Sequence, residues 1–468
     1  MNLSAFKAYD IRGRVPDVLD EALARHIGYA FAQEFRPRSV VIGHDARLSS
    51  PALYRALAHG LRAAGTDVTG VGMCGTEEIY FAASALDFDG GIMVTGSHNP
   101  ADENGFKLVL GGAVPVSGDS GLFRIRDRIR ASVEAGETVP AVCTGAFRED
   151  CFRRRYADFL LDLAEPHSLR PLRIAADAGH GCAGLVMREL APHLPLDIVL
   201  LNAEPDGRFP RGVPNPLLPE NRAAFSRAVR ELDVDFGIAW DGDFDRCFFY
   251  DREGRFIEGY YLVGLIAETL LAGRPGEKIL HDPRLLWNTQ ELVHAAGGIP
   301  VECRTGHAFF KERMRAENAL YGGEMSAHHY FRDFACCDSG MLPWLLVARL
   351  LSRSGKDLAS LVEERMKAFP CSGEVNSRVD DIPAVLARVE ARYAALPGAK
   401  LSRIDGLSIA FPDWRFNLRG SNTETVLRLN VESRGDASLM QEKTAELLRE
   451  IRRSGAALVT LDSRGARP

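Results

Sequence analysis

The chain has no excess of positive charge: 57 Lys and Arg stand against 63 Asp and Glu in 468 residues, a formal net charge of -6. Phosphate backbones select basic surfaces, so this balance argues against a general nucleic-acid binder, and any anionic ligand must be held by local arginines and lysines. Paired cysteines are also missing. The nine cysteines include no Cys-x-x-Cys, and Cys336 and Cys337 are adjacent, which suits reduced thiols better than a disulfide framework or a zinc site. Long apolar runs are absent too: Met1 to Arg14 contains none, and the most apolar helical segments are interrupted by Glu268 and Arg349. These features read as a cytoplasmic protein with no membrane span. What remains is ordinary globular composition, 46% apolar and 26% charged, with length for about three domains and sizeable cores.

Tyr9-Asp10-Ile11-Arg12-Gly13 precedes an amphipathic helix expected around Glu21 to Glu34. A strand-helix-strand pattern follows: Val40 to Ile42, the loop Gly43-His44-Asp45-Ala46-Arg47, a helix from about Pro51 to Ala64, a Gly65 stop and the strand Val68 to Val71. It recurs from Arg173 through Asp177-Ala178-Gly179-His180-Gly181 to Asp197–Leu201, and again from Lys278 through His281-Asp282-Pro283-Arg284 to Ile299–Cys303. A spacing of about a hundred residues predicts three degenerate copies of one α/β domain rather than a solenoid, whose repeats run to roughly 20 to 50 residues. Beyond Phe369-Pro370-Cys371-Ser372-Gly373, which reads as a hinge, apolar strands at Gly406–Phe411 and Thr425–Val431 and a helix from about Ser438 to Arg453 predict a smaller α+β domain. The expected fold is α/β, with units at residues 1–142, 143–252, 253–368 and 369–468.

Chemistry concentrates in a few loops. Ser97 sits in Thr95-Gly96-Ser97-His98-Asn99-Pro100, just after the apolar run Gly91 to Val94, where open α/β sheets present residues to ligands. A serine in a turn more often caps a helix, and this one lacks the Gly-x-Ser-x-Gly elbow of the α/β serine hydrolases. Asp241-Gly242-Asp243-Phe244-Asp245-Arg246 follows the strand Phe236 to Trp240; on an extended backbone, carboxylates at i, i+2 and i+4 converge on a hard cation. An EF-hand is excluded because Arg246 and Arg252 stand where that loop needs glycine and glutamate. Arg304-Thr305-Gly306-His307 opens a helix and can face a phosphate with its amides. Arg419, Ser421, Asn422 and Thr423 have the composition of a phosphate clamp, though such runs are also common in turns. Glu324 and Ser326, in Gly323-Glu324-Met325-Ser326, pair a carboxylate with a hydroxyl, as adjacent sugar hydroxyls require.

Four of these motifs, in this order, together with Ala8-Tyr9-Asp10-Ile11-Arg12-Gly13, resemble the α-D-phosphohexomutase family from end to end, closest to its bacterial phosphomannomutase and phosphomannomutase/phosphoglucomutase branch. The resemblance implies three related mixed α/β domains plus a smaller C-terminal α+β domain around a central cleft. It implies that Ser97 is carried as a phosphoserine, and that Asp241, Asp243 and Asp245 hold Mg²⁺ together with the Ser97 phosphoryl group. His98, Lys107 and Arg246 would complete the catalytic set. Tyr9, Arg12, Arg284, Thr305, Gly306, His307 and His328 would face the substrate, Glu324 and Ser326 would grip sugar hydroxyls, and Arg419, Ser421, Asn422 and Thr423 would hold the distal phosphate.

The implied activity is a reversible mutase acting on mannose phosphates, and on glucose phosphates too, with hexose 1,6-bisphosphate as activator. It would work on small hexose phosphates, without nucleic acid or membrane, as a monomer or weak dimer. The alternatives are a phosphoglucosamine mutase, which usually has glutamine where Met325 stands, and a catalytically silent sugar-phosphate binder on the same fold. Three departures stand out: Gly96 where alanine is common, predicting a looser nucleophile loop; acidic Asp102-Glu103 near Lys107; and Thr425 in place of a proline that would stiffen the clamp.

Overall fold

The computed structural model describes residues 1–420, 426–453 and 457–458, so Ser421, Asn422, Thr423 and Thr425 lie outside the described residues. Three sheets share one plan. In the first, Ser39–His44 lies between the parallel strands Asp67–Met73 and Gly90–Val94, and Gly90–Val94 pairs antiparallel with Glu103–Leu110. In the second, Arg173–Asp177 lies between Asp197–Leu201 and Phe236–Trp240, which pairs antiparallel with Cys247–Asp251. In the third, Lys278–His281 lies between Ile299–Glu302 and Tyr321–Gly323, which pairs antiparallel with His329–Phe331. The repeat expected from spacing is one topology used three times.

Central strands such as Val40, Val41 and Ile42 are fully buried, the pattern of a parallel strand covered on both faces. The helix Glu21–Phe35 starts where Asp20 accepts the Leu23 amide at 2.7 Å and stops at Arg36 in the left-handed region.

The shared plan puts two loops of each unit at the carboxyl edge of its sheet, where such sheets bind ligands. One follows the central strand and begins at Asp45, Ala178 or Asp282; the other follows the third parallel strand and carries Ser97, Asp241–Asp245 or Glu324–His328. Each loop of the second kind contains a residue in the left-handed region: Ser97 and Phe244 at φ 49°, Ala327 at φ 70°.

One apolar core, containing Ile79, Phe81, Tyr156, Trp240, Trp344 and Phe369, runs through all three units. At their meeting point the buried Glu77 carboxylate accepts the Tyr156 and Ser339 hydroxyls and the amides of Gly340 and Met341 at 2.7 and 3.2 Å. The first sheet extends to Phe147–Glu149, paired with Asp67–Met73, and the second to Phe256–Ile257, so both continue past the expected boundaries at 142 and 252.

The last unit is an antiparallel sheet with its own core around Val389, Tyr393, Phe416, Leu429 and Ile451. Its strand Trp414–Gly420 buries Trp414, Phe416 and Leu418 in that core and leaves Arg415, Asn417 and Arg419 on the alternate positions. Arg415 crosses to the third unit, donating to the carbonyls of Pro283 and Arg284 at 2.8 and 2.9 Å and to Glu432 at 2.8 Å. Glu432 in turn accepts the Leu286 amide at 2.7 Å and the Tyr260 hydroxyl.

The segment read as a hinge is hydrogen-bonded to the strand Val426–Ser433. Ser433 N donates to Pro370 O, Ser372 N to Val431 O and Asn430 Nδ2 to Gly373 O, at 2.9 to 3.0 Å, while the Tyr261 hydroxyl of the third unit reaches Cys371 Sγ at 3.3 Å, so the segment is tied on both sides. All nine cysteines are free thiols, and no helix among the described residues is long and apolar enough to cross a membrane.

Candidate active site

Ser97 is 3% exposed, and its hydroxyl lies 3.0 Å from Asp241 Oδ2 and 3.1 Å from His98 Nδ1. Its left-handed backbone is held by the Thr95 side chain, which accepts the Ser97 amide at 2.8 Å and donates to Asp45 at 2.9 Å. A non-glycine residue in that region costs of order 1 kcal/mol or more and persists only where its surroundings over-determine it.

The ligand oxygens of Asp241, Asp243 and Asp245 converge within 4.8 Å, all buried. They do so by a route other than the expected extended backbone: Phe244 turns left-handed, with its ring sunk in the core, and the turn brings the carboxylates together. Lys107 Nζ reaches Asp243 Oδ2 at 2.7 Å and also touches Asp245, Thr76 Oγ1 donates to Asp243 Oδ2 at 2.6 Å, and Arg246 clasps Asp241 Oδ2 at 2.6 and 2.9 Å.

Burial alone would raise the Asp243 carboxyl, but Lys107, Thr76 and Arg12 outweigh it and hold it far below the usual carboxylate range. Burial and the neighbouring Asp245 and Asp243 charges push Asp241 the other way against Arg246. Burial would lower the Lys107 amine, yet Asp243 and Asp245 more than compensate and keep it charged. His98 is held neutral by burial and by the cations Arg246 and Arg12.

Asp243 Oδ1 and Asp245 Oδ1 are buried without a hydrogen-bond partner among the described residues. Buried carboxylate oxygens without a hydrogen-bond donor, in a triad whose ligand atoms lie within 4.8 Å of one another, fit a hard cation, which takes oxygen ligands. A second grouping, Asp245 with His328 and Asp338, also lies within 4.8 Å, but Lys311 already sits 2.6 Å from Asp338 and supplies its counter-charge.

The other expected residues form a continuous path away from Ser97. Arg12 donates to Thr95 O at 3.1 Å and to Asp10 at 2.7 Å. His328 lies 3.9 Å from Asp245 and 3.2 Å from Glu324, whose carboxylate also accepts the Gly306 amide at 2.9 Å and the Tyr330 hydroxyl at 2.6 Å. Burial would raise Glu324; the His328 hydrogen bond and charge and the Arg284 charge bring it down to about 2. Two protein donors, the Gly306 amide and the Tyr330 hydroxyl, leave this carboxylate room for about two more, since it carries about four acceptor sites.

Tyr9 stacks edge-on against His307 at 5.8 Å, and burial lowers the His307 imidazole to about 4, helped by Lys311. The Thr305 amide donates to Asp405 of the last unit at 3.3 Å. Arg284 pairs with Asp282 at 2.7 Å and approaches the Ser326 hydroxyl at 3.4 Å and Glu374 at 3.5 Å. Arg419 lies 3.7 Å from Glu374 and 3.9 Å from Asp405. Of the expected clamp only Arg419 is thus described.

Several contributors carried no sequence signal of their own. Thr76 and Lys311 act through partners far along the chain, Tyr330 through Glu324 six residues before it, and Asp45, Arg47 and Asp282 read in the sequence only as turns after strands. Gly96 requires a correction. An added Cβ there would lie 2.2 Å from Arg47 Nε and 2.3 Å from its Cζ, so glycine makes room for a buried arginine rather than slackening the loop.

Comparison with known proteins agrees with this layout. Residues 3–135, 154–254, 258–369 and 374–449 match, in turn, the three α/β/α domains and the C-terminal domain of phosphoglucomutase/phosphomannomutase. A protein of Xanthomonas campestris described as phosphohexose mutases is 58% identical over 96% of this chain and 99% of its own. The phosphomannomutase of Salmonella montevideo is 55% identical, over 96% and 98%. A crystal structure of a phosphoglucomutase/phosphomannomutase family protein from Burkholderia thailandensis, 35% identical, superposes with a TM-score of 0.85 over 98% of this chain and 99% of that one. The chain belongs to the phosphoglucomutase/phosphomannomutase family and is a phosphohexomutase, an intramolecular phosphotransferase.

Proposed function

We propose that the enzyme interconverts the 6- and 1-phosphates of mannose, and of glucose, through a phosphoryl group carried on Ser97 Oγ. The observation that carries this reading is the Ser97 hydroxyl, 3.0 Å from a buried aspartate triad that has unpaired oxygens and a charged lysine against it. The first transfer breaks the Oγ–P bond and forms a P–O bond to the free sugar hydroxyl, whose proton passes to the leaving Ser97 Oγ; the resulting hexose 1,6-bisphosphate then returns its other phosphoryl group to Ser97, breaking that sugar O–P bond and leaving a sugar hydroxyl. On that return, neutral His98 Nδ1 at 3.1 Å is placed to accept the Ser97 proton.

Asp241, Asp243 and Asp245, with the Ser97 phosphoryl oxygens, would hold Mg²⁺, which supplies neutralisation of the charge on the transferring group. Lys107, Arg12 and Arg246 add fixed positive charge from the protein, and Arg419 and Arg284 serve the distal phosphate. Glu324, with its open acceptor sites, and Ser326 would read the sugar hydroxyls. Membership of the phosphomannomutase branch, with methionine at position 325, disfavours phosphoglucosamine, and intact Ser97 and aspartates disfavour a silent binder.

A coupled assay on the 1-phosphates of mannose, glucose, glucosamine and galactose, primed with hexose 1,6-bisphosphate, tests the reading. Mannose and glucose differ only at O2, so a pair gripping O3 and O4 cannot separate them, and their efficiencies should fall within about two orders of magnitude. Galactose inverts O4 and strands a buried donor or acceptor, at about 1 to 3 kcal/mol or more, and should fall well below both. Comparable turnover of galactose 1-phosphate, or a preference for glucosamine 1-phosphate, would overturn the assignment.

A further inference from the structure

Asp45 and Asp282 follow equivalent strands of the first and third units, and each accepts the amide two residues on, from Arg47 and Arg284, at 3.0 Å. Each also ties down the neighbouring loop of its own unit: Asp45 accepts the Thr95 hydroxyl at 2.9 Å and the Gly96 amide at 3.0 Å, and Asp282 accepts the Met325 amide at 2.8 Å. The two arginines are therefore topological counterparts with different orientations. Arg284 extends toward Ser326 and Glu374. Arg47 turns back under the loop that carries Ser97. Its side chain is fully buried, and its terminal nitrogens donate to the carbonyls of Ser97 at 2.8 Å, Asn99 at 2.6 Å, Glu103 at 2.9 Å and Pro100. Phe209 of the second unit covers the guanidinium, its ring centroid 5.5 Å from Cζ.

We propose that Arg47 is the positioning residue of the Ser97 loop and that Gly96 is its steric complement. A guanidinium is a rigid planar fork with five N–H donors, able to hold carbonyls that diverge around it; a lysine ammonium has three donors at a single point and cannot span them. Four carbonyls from residues 97, 99, 100 and 103 therefore close around one cation, and the loop between them has a single conformation, with Ser97 left-handed and its hydroxyl turned to Asp241. The arrangement needs the space above Arg47 Nε and Cζ to be empty, and any side chain at position 96 would occupy it.

Arg47 reaches none of the groups assigned to the sugar or the distal phosphate, so its loss should appear in kcat and spare KM. This inference rests on the reading of Ser97 as the phosphoryl carrier. The test is steady-state kinetics of Arg47→Ala, Arg47→Lys, Gly96→Ala and the Arg47→Ala/Gly96→Ala pair, beside Ser97→Ala, with mannose 1-phosphate as substrate. Displacing a reacting atom by about 1 Å costs about 100-fold, so Arg47→Ala should lower kcat by about that factor with KM within about threefold of the parent.

Millimolar guanidinium ion should restore part of the lost rate to Arg47→Ala, and Arg47→Lys should remain slow. Gly96→Ala keeps the arginine but pushes it aside; it should lower kcat in the same way, and the pair should lose much less than the product of the two single losses. An Arg47→Ala enzyme with kcat within about twofold of the parent, or strictly multiplicative losses in the pair, would overturn the proposal. If Arg47→Ala fails to fold, Gly96→Ala decides alone, and parental kcat there overturns it. Ser97→Ala separates the two readings: full turnover without Ser97 sinks the phosphoserine, whereas an inactive Ser97→Ala beside a fully active Arg47→Ala sinks the positioning role only.

Discussion

Asp243 carries two partners on one oxygen and none on the other: Oδ2 meets Lys107 and Thr76, while Oδ1 is buried and unpaired. That asymmetry divides its work between holding the lysine and facing a cation. Asp243→Asn removes the charge and keeps the shape, so the Mg²⁺ concentration for half-maximal rate should rise by about tenfold or more, with kcat falling far more than KM rises. Metal titrations of activity measure this, and full activity in excess chelator would refute the role. The three aspartates and Ser97 were legible because each motif is contiguous. Arg47, Thr76 and Lys311 were not, because their partners lie across the fold: Thr76 is separated by 167 residues from Asp243. Phe244 shows the same limit within a motif, since its backbone turns left where side-chain alternation had implied an extended run.

Elements follow the same logic one level up. The strand-helix-strand repeats were readable from strand composition and glycine stops, and the structure adds that the Ser97, Asp241–Asp245 and Glu324 loops occupy one topological position in three copies. Trp414–Gly420 is a further strand that the expected pair Gly406–Phe411 and Thr425–Val431 did not include, and it alternates apolar residues with two arginines and an asparagine. Its polar positions are buried, Asn417 within the last unit on Asp405 and Ser408, and Arg415, 1% exposed, against the third unit, where it grips Pro283 and Arg284. Removing one member of a buried, hydrogen-bonded ion pair leaves the other charge stranded, so Arg415→Ala should cost about 3 to 5 kcal/mol. Denaturant unfolding measures it, and a loss below about 1 kcal/mol, the worth of an exposed pair, would show that the contact does not hold the last unit in place.

At the scale of the whole molecule, one core runs through three units and Glu77 sits at their junction. Burial raises its carboxyl from the ordinary 4.5 to about 8, against hydrogen bonds from Ser339, Tyr156 and Gly340 that favour the ionised form. Between those values the folded protein keeps a proton that the unfolded chain has lost. Stability from this group is therefore fully present below pH 4.5 and is lost as pH rises toward about 8, at up to about 1.4 kcal/mol per pH unit. Glu77→Gln cannot titrate, so the difference in unfolding free energy between parent and variant should change across that window and level off outside it. A constant difference from pH 4 to 9 would contradict the raised value.

The same assembly sets Ser97 of the first unit against Asp241 of the second, whose neighbour Asp245 lies beside His328 of the third, and the proposed reaction requires that Ser97 carry the phosphoryl group between turnovers. Intact-mass and peptide analysis of the purified enzyme, before and after incubation with hexose 1,6-bisphosphate, tests this most directly. Partial phosphate on Ser97 that rises with the bisphosphate and is lost on incubation with hexose monophosphate alone is the expected result; phosphate confined to another residue, or none under any of these conditions, would contradict the assignment of Ser97.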